Sequence, residues 1–215
     1  MNQEINKLLL ESGVSIKVTK DVPELGTAMS EFGYNDKAMN EADKLQKETQ
    51  KLHQVQVKEY GEQAEASLEV RKALAELKNP YMKHVKIARI ALRDDVAGWQ
   101  ALGLSGTRRR TYAGIIAEAR LFYANMLSNN NLLTKMAVYG ITRNKLEVTQ
   151  KLAEKAESAL AKYREELGQA QNATQERDEK VDALQAWYSD FREIARIALE
   201  DKPQYLEMLG IVEPS

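Results

Sequence analysis

Few residues in this sequence could carry chemistry, and their spacing does not favour it. There are two histidines, His53 and His84, and no cysteine. A di-iron or di-manganese centre in a helical bundle needs Glu-x-x-His pairs projecting inward, but the residues three before the histidines are Gln50 and Tyr81. The sequence has no Gly-x-Ser-x-Gly elbow for a serine nucleophile and no glycine-rich phosphate loop following a strand. Asp94-Asp95 could serve as a carboxylate pair, yet the matching position later in the chain reads Asp201-Lys202, so helix capping explains the shared aspartate. The reading is therefore of a non-enzymatic protein with no catalytic, cofactor-binding or metal-ligating residue.

Arg108, Arg109 and Arg110 form a dense basic cluster, and three arginines could contact phosphates. They read as the start of a helix, where the helix dipole disfavours positive charge, so a contact with acidic residues of the same chain is expected. Weak nucleic-acid binding through these three is the alternative. The chain's lack of a basic stripe or of stacking aromatics weighs against it.

The elements that would position these residues are written twice. Ile87 to Leu104 reads IARIALRDDVAGWQALGL and Ile194 to Ile211 reads IARIALEDKPQYLEMLGI, an offset of 194 − 87 = 107 in a chain of 215 residues. Aligned without gaps at that offset, residues 29 to 104 match their partners at 19 of 76 positions, including Lys44-Leu45, Glu59, Gly61, Glu69, Leu77 and Tyr81. Shared helical composition would seldom give an identical IARIAL, so duplication is the better explanation. The expected fold is all-α: two tandem, pseudo-repeated antiparallel helical-bundle units over 1–104 and 105–215. The two-copy pattern, with its FGYN and YGIT turns and an IARIAL box ending in LGL or LGI, resembles bacterial proteins that carry the same duplicated helical unit. That group brings no activity to transfer.

Within the box, Ile87, Ile90 and Ala91, with Ile194, Ile197 and Ala198, recur at helical spacing and are expected to face a core, widened by Leu92 and Leu199. Asp94 and Asp201 are expected to cap a short second helix, with Pro203 in its first turn and Gly103 or Gly210 in a left-handed ending. The same ending is expected at Gly33 and Gly140, each followed by an N-cap, Asn35 or Thr142. Short helices should precede these glycines, over Pro23–Phe32 capped by Asp21, and near Leu132–Tyr139 capped by the Asn129–Asn131 turn. The first helix should be short, ending at Ser12-Gly13 before an extended Val14–Lys20. Its counterpart from Tyr112 to Met126 should run about five turns.

The long segments 36–93 and 143–200 are read as antiparallel hairpins turning at Gly61 and Gly168, a single long helix being the alternative. Pro80 should kink or restart a helix where its partner Trp187 does not. Across the hairpin, Arg89 and Arg196 would meet the carbonyls near Gly33 and Gly140, or else remain surface arginines. Trp99, Trp187, Tyr188 and Phe191 are expected in the core, and the histidines at partly buried surface positions.

Charge is nearly balanced, −1 overall, with 15 Lys+Arg against 16 Asp+Glu in 1–104 and 16 against 16 in 105–215. No apolar run approaches the ~20 residues of a membrane span, and a cytoplasmic location is expected. The leading expectation is a structural or interaction module that contacts itself or another protein through helix faces. A small-ligand-binding bundle with an apolar cavity is the second.

Overall fold

The three helices that begin at Pro23, Asp36 and Val96 each have a counterpart with both bounds 107 residues later. The computed structural model describes residues 2–211, and these hold eight helices and no strand. They are α1 (Asn2–Asp21), α2 (Pro23–Ser30), α3 (Asp36–Ala91), α4 (Val96–Ala101), α5 (Tyr112–Ser128), α6 (Asn130–Ala137), α7 (Arg143–Ala198) and α8 (Pro203–Met208). The starts differ by 130 − 23, 143 − 36 and 203 − 96, each 107, and the ends of α1 and α5 by 128 − 21, also 107. Among the described residues, no helix is long and apolar enough to cross a membrane.

The four sharp turns have one grammar. Gly33, Gly103, Gly140 and Gly210 have φ of 93°, 59°, 72° and 71°, where a side chain would be strained. The amide after each glycine donates to a carbonyl five residues back: Tyr34 to Met29, Leu104 to Trp99, Ile141 to Met136 and Ile211 to Leu206. This is the Schellman ending, which satisfies carbonyls that a helix end leaves without partners. Asn35 Oδ1 and Thr142 Oγ1 then accept from the third amide onward, Ala38 and Lys145, and start the long helices.

Several expectations are overturned. Helix α1 runs through Ser12-Gly13 and Val14–Lys20 without a break. Its buried positions 5, 8, 9, 12, 15, 16 and 19 form a helical stripe that includes Ser12, Ser15 and Thr19. Ser12 and Thr19 donate to the carbonyls of Leu8 and Ser15 four residues back, so burying their hydroxyls leaves no donor unmet. The hairpins are absent: α3 and α7 are single helices of 56 residues that pass through Gly61, Gly168 and Pro80. Asp95, not Asp94, caps α4, accepting from the amide of Gly98 at 2.9 Å, and Lys202 at the same place in α8 supplies no side-chain cap. Asp21 is the last residue of α1, and α2 starts from Val22 without a side-chain cap. In the IARIAL boxes it is Ala88, Leu92, Ala195 and Leu199 that are fully buried, whereas Ile90 and Ile197 are 47% and 60% exposed.

Two compact units emerge. Unit 1 comprises 1–60 with 169–215, and unit 2 comprises 61–168. Each contains the first part of one long helix and the last part of the other. The core of unit 1 is built on Leu25, Met29, Leu184, Phe191, Ala195 and Leu199. That of unit 2 is built on Val70, Leu77, Tyr81, Phe122, Tyr123 and Leu146. Trp99 and Trp187 are partly buried against these cores.

Candidate functional site

Burying a polar group without a partner is costly, and burying a charge more so. Unit 1 nevertheless holds a cluster of such groups. Thr49, His53 and Gln56 lie on successive turns of α3 and Arg177 on α7, with the exposed Asn6 of α1 beside His53. His53 is 8% exposed and Arg177 1%. His53 Nε2 lies 3.1 Å from Asn6 Oδ1, which places the ring hydrogen on Nε2. Burial, and then the charge of Arg177, push the His53 imidazole below its usual pKa and keep it neutral. Thr49 Oγ1 donates to Leu45 O at 2.8 Å and lies 3.3 Å from Lys180 O.

The cluster is incompletely paired. Arg177 Nε donates to Asp178 Oδ1 at 2.8 Å, and Nη2 lies 2.6 Å from the same oxygen without forming a hydrogen bond. His53 Nδ1 and Gln56 Oε1 are buried without partners. The positions related by 107 are apolar: Ala113, Ala156, Leu160 and Tyr163 stand for Asn6, Thr49, His53 and Gln56, and Val70 for Arg177. Val70 and Ala156 are fully buried in unit 2. One framework therefore carries a polar cluster in one unit and an ordinary core in the other. Both histidines are buried rather than at the surface, His84 being paired through Nδ1 with Tyr123 Oη at 2.9 Å. Burial lowers the His84 pKa, helped by Lys83 and Lys145, and burial raises that of Tyr123.

Beside the unit 1 cluster, a recess of about 480 Å³ lies between α1 and α3. Its wall is apolar at Leu9, Leu10 and Val14, and polar at Asn6, Gln46, Gln50 and His53. Among the described residues no carboxylate lines it, and Lys17 brings a positive charge.

The arginine cluster lies in unit 2, ahead of α5 rather than on it. Arg108 is turned inward, its Nη2 donating to Gly103 O at 2.5 Å and Ser105 O at 2.9 Å, with Glu118 at 3.8 Å and Tyr81 Oη at 3.4 Å from Nη1. Arg109 and Arg110 are exposed, and the backbone amide of Arg109 lies 3.3 Å from the Glu118 carboxylate. Arg89 binds backbone carbonyls, but those of the loop that follows α4 in its own unit: Nε and Nη2 donate to Leu104 O at 3.1 and 2.8 Å, and Nη2 to Gly106 O at 3.0 Å. The expected contact with Gly33 fails because it presupposed the hairpin. Arg196 instead pairs with Glu193 at 2.7 Å.

Of this cluster, the sequence signalled only the departures from the repeat. Arg177 opposite Val70, Thr49 opposite Ala156 and His53 opposite Leu160 each replace an apolar residue on a core stripe by a polar one. No protein-family model matches the chain, and no curated protein and no solved structure matches it.

Proposed function

We propose that this chain is a non-enzymatic helical module, built from a duplicated unit, that works through helix-face contacts with itself or another protein. The observation that carries the reading is a set of large apolar side chains left in solvent at equivalent places in both copies. Phe32 and Tyr139 are 45% and 49% exposed, and Ile90 and Ile197 are also open to solvent. A single exposed apolar residue needs no explanation. The same position left apolar and exposed twice suggests a use in contact, because isoleucine and aromatic rings there contribute little to either core.

Duplication over 1–104 and 105–215 is supported by the shared offset of helix bounds and of the left-handed pairs Gly33 with Gly140 and Gly103 with Gly210. An antiparallel arrangement of the long helices within unit 2 is supported by Glu69–Lys162 and Glu76–Lys155, where numbers rise on α3 as they fall on α7. A cytoplasmic location remains the reading from composition. Nucleic-acid binding through Arg108–Arg110 is weakened, since Arg108 turns its two terminal nitrogens to Gly103, Ser105 and Tyr81.

The test is capture from a lysate of the source cells with two baits, the wild-type chain and a variant with Phe32, Ile90, Tyr139 and Ile197 all changed to Ser. A protein, or an untagged copy of the chain, held by the first and lost by the second supports the reading. Identical captures by the two folded baits overturn it.

A further inference from the structure

We propose that the recess between α3 and α5 in unit 2 binds a small organic anion, one carboxylate or phosphate group carried on an apolar body. Met82 of α3 and Ile115 of α5 supply its apolar wall, and Lys78 with Arg108 to Arg110 supply its charge. The volume of about 310 Å³ lies at the lower end of the ~300–1,000 Å³ of ordinary ligand pockets, which suits one ring or a short chain.

The charge of the lining selects the occupant. Against those four cations stands one lining carboxylate, Glu118. That carboxylate is already engaged, 3.8 Å from Arg108 Nη1 and 3.3 Å from the backbone amide of Arg109. The side chains of Lys78, Arg109 and Arg110 are exposed, and among the described residues no carboxylate pairs with them. Three like charges gathered at one recess repel each other. An anion offsets that repulsion and brings acceptors for their donors, a cation adds to it, and a neutral molecule leaves it as it was. The planar fork of an arginine matches two oxygens of a carboxylate or a phosphate. Met82 and Ile115 are partly buried against the unit 2 core, and the flexible thioether adapts to an apolar body laid on it.

The other copy supplies the contrast. Unit 1 has a recess at the corresponding place, between α1 and α7, where Leu8, Tyr188 and Glu11 stand for Ile115, Tyr81 and Glu118. There Gln185 replaces Lys78, and by the same offset Asn2, Gln3 and Ser189 replace Arg109, Arg110 and Met82. The charges lining that recess balance, Glu4 and Glu11 against Lys7 and Arg192, and Lys7 lies 3.7 Å from Glu11. The frame is common to both units. The excess positive charge and the methionine belong to unit 2 alone, so the frame does not require them and a ligand accounts for them.

The test uses four probes built on one ring, phenylacetate, phenyl phosphate, phenylacetamide and phenethylammonium, titrated into the full chain and followed by amide and arginine Nε NMR. The proposal expects saturable shifts at Met82, Arg109, Arg110 and Ile115 with at least one anion, and little change at Leu8 and Gln185 of the other recess. The amide and the ammonium should bind more weakly by about tenfold or more, as when charge-assisted hydrogen bonds are lost. Lys78→Gln/Arg109→Asn/Arg110→Gln, which installs the other copy's residues at exposed positions, should remain folded and weaken the anions by a similar factor. Met82→Ser should weaken them too. Absence of saturable shifts with both anions, equal binding of the amide, equal shifts in the two recesses, or unchanged affinity in either folded variant would overturn it. So would a single-stranded oligonucleotide that shifts the same signals at lower concentration than either anion, which would assign the arginines to nucleic acid.

Discussion

Arg177 and Val70 occupy the same place in the repeat, 177 − 70 = 107, and both are buried, at 1% and 0% exposure. The framework at this position therefore accommodates an apolar side chain in one unit and a guanidinium in the other. Replacing a buried ion by an apolar residue of similar size is often neutral or stabilising, by ~1–4 kcal/mol, whereas burying a new unpaired charge is strongly unfavourable. Arg177→Met should then leave stability unchanged or raise it in urea unfolding, and Val70→Arg should lower it by more than about 3 kcal/mol. A large loss with Arg177→Met would mean that the arginine is integral to the fold.

The glycines separate into two classes with opposite outcomes. Gly61 and Gly168 lie inside helices with open space where a Cβ would go. Alanine there should stabilise by about 0.5–1 kcal/mol. Gly33 and Gly140 have equally open surroundings but positive φ, so Gly140→Val should cost more than about 1 kcal/mol through backbone strain alone. Thermal melts of the two classes decide between them, and a destabilised Gly61→Ala would contradict the continuous helix.

These glycines also show what the sequence made legible. Gly33, Gly103, Gly140 and Gly210 declared themselves because an apolar residue follows each and another lies five residues before it, which is a local pattern. Gly61 and Gly168 sit at matching places in polar surroundings, and that composition fits a solvated hairpin tip as well as an exposed helix. Local sequence cannot separate the two. The continuation of α1 was hidden because its stripe passes through Ser12, Ser15 and Thr19, which look like surface residues until their hydroxyls find carbonyls. The polar cluster was legible only as mismatches between the copies, and its burial depends on α1 and α7, which are far from α3 in sequence.

The two equivalent arginines should behave differently. Arg89 donates to two carbonyls of the loop after α4, and hydrogen bonds from a charged group contribute ~1.5–3 kcal/mol, so Arg89→Ala should destabilise by about that much. Arg196 pairs with the largely exposed Glu193, and such pairs contribute ~0–1 kcal/mol. Equal losses in chemical denaturation would show that the carbonyl contacts of Arg89 add nothing.

Acid should unfold the protein partly through its histidines. Both imidazoles titrate below their usual value in the folded chain: His53, facing Asn6 and Arg177, and His84, facing Tyr123, Lys83 and Lys145. The unfolded chain then takes up protons first as pH falls below about 6.5, so stability is full above that pH and is lost as pH falls toward the folded values. The double variant His53→Leu/His84→Phe, which uses the other copy's residues, should lose less stability between pH 7.5 and pH 5 than the wild type. Parallel pH profiles would contradict the neutral, buried assignment.

The contact function is tested most directly by photo-crosslinking in the source cells, with benzoylphenylalanine placed in turn at Tyr139, at Ile90 and at the exposed polar position Lys151. Discrete adducts, to another protein or to a second copy of the chain, should form from 139 and 90 and not from 151. No adduct from either apolar position, or the same adducts from 151, would contradict a module that works through its repeated apolar surface.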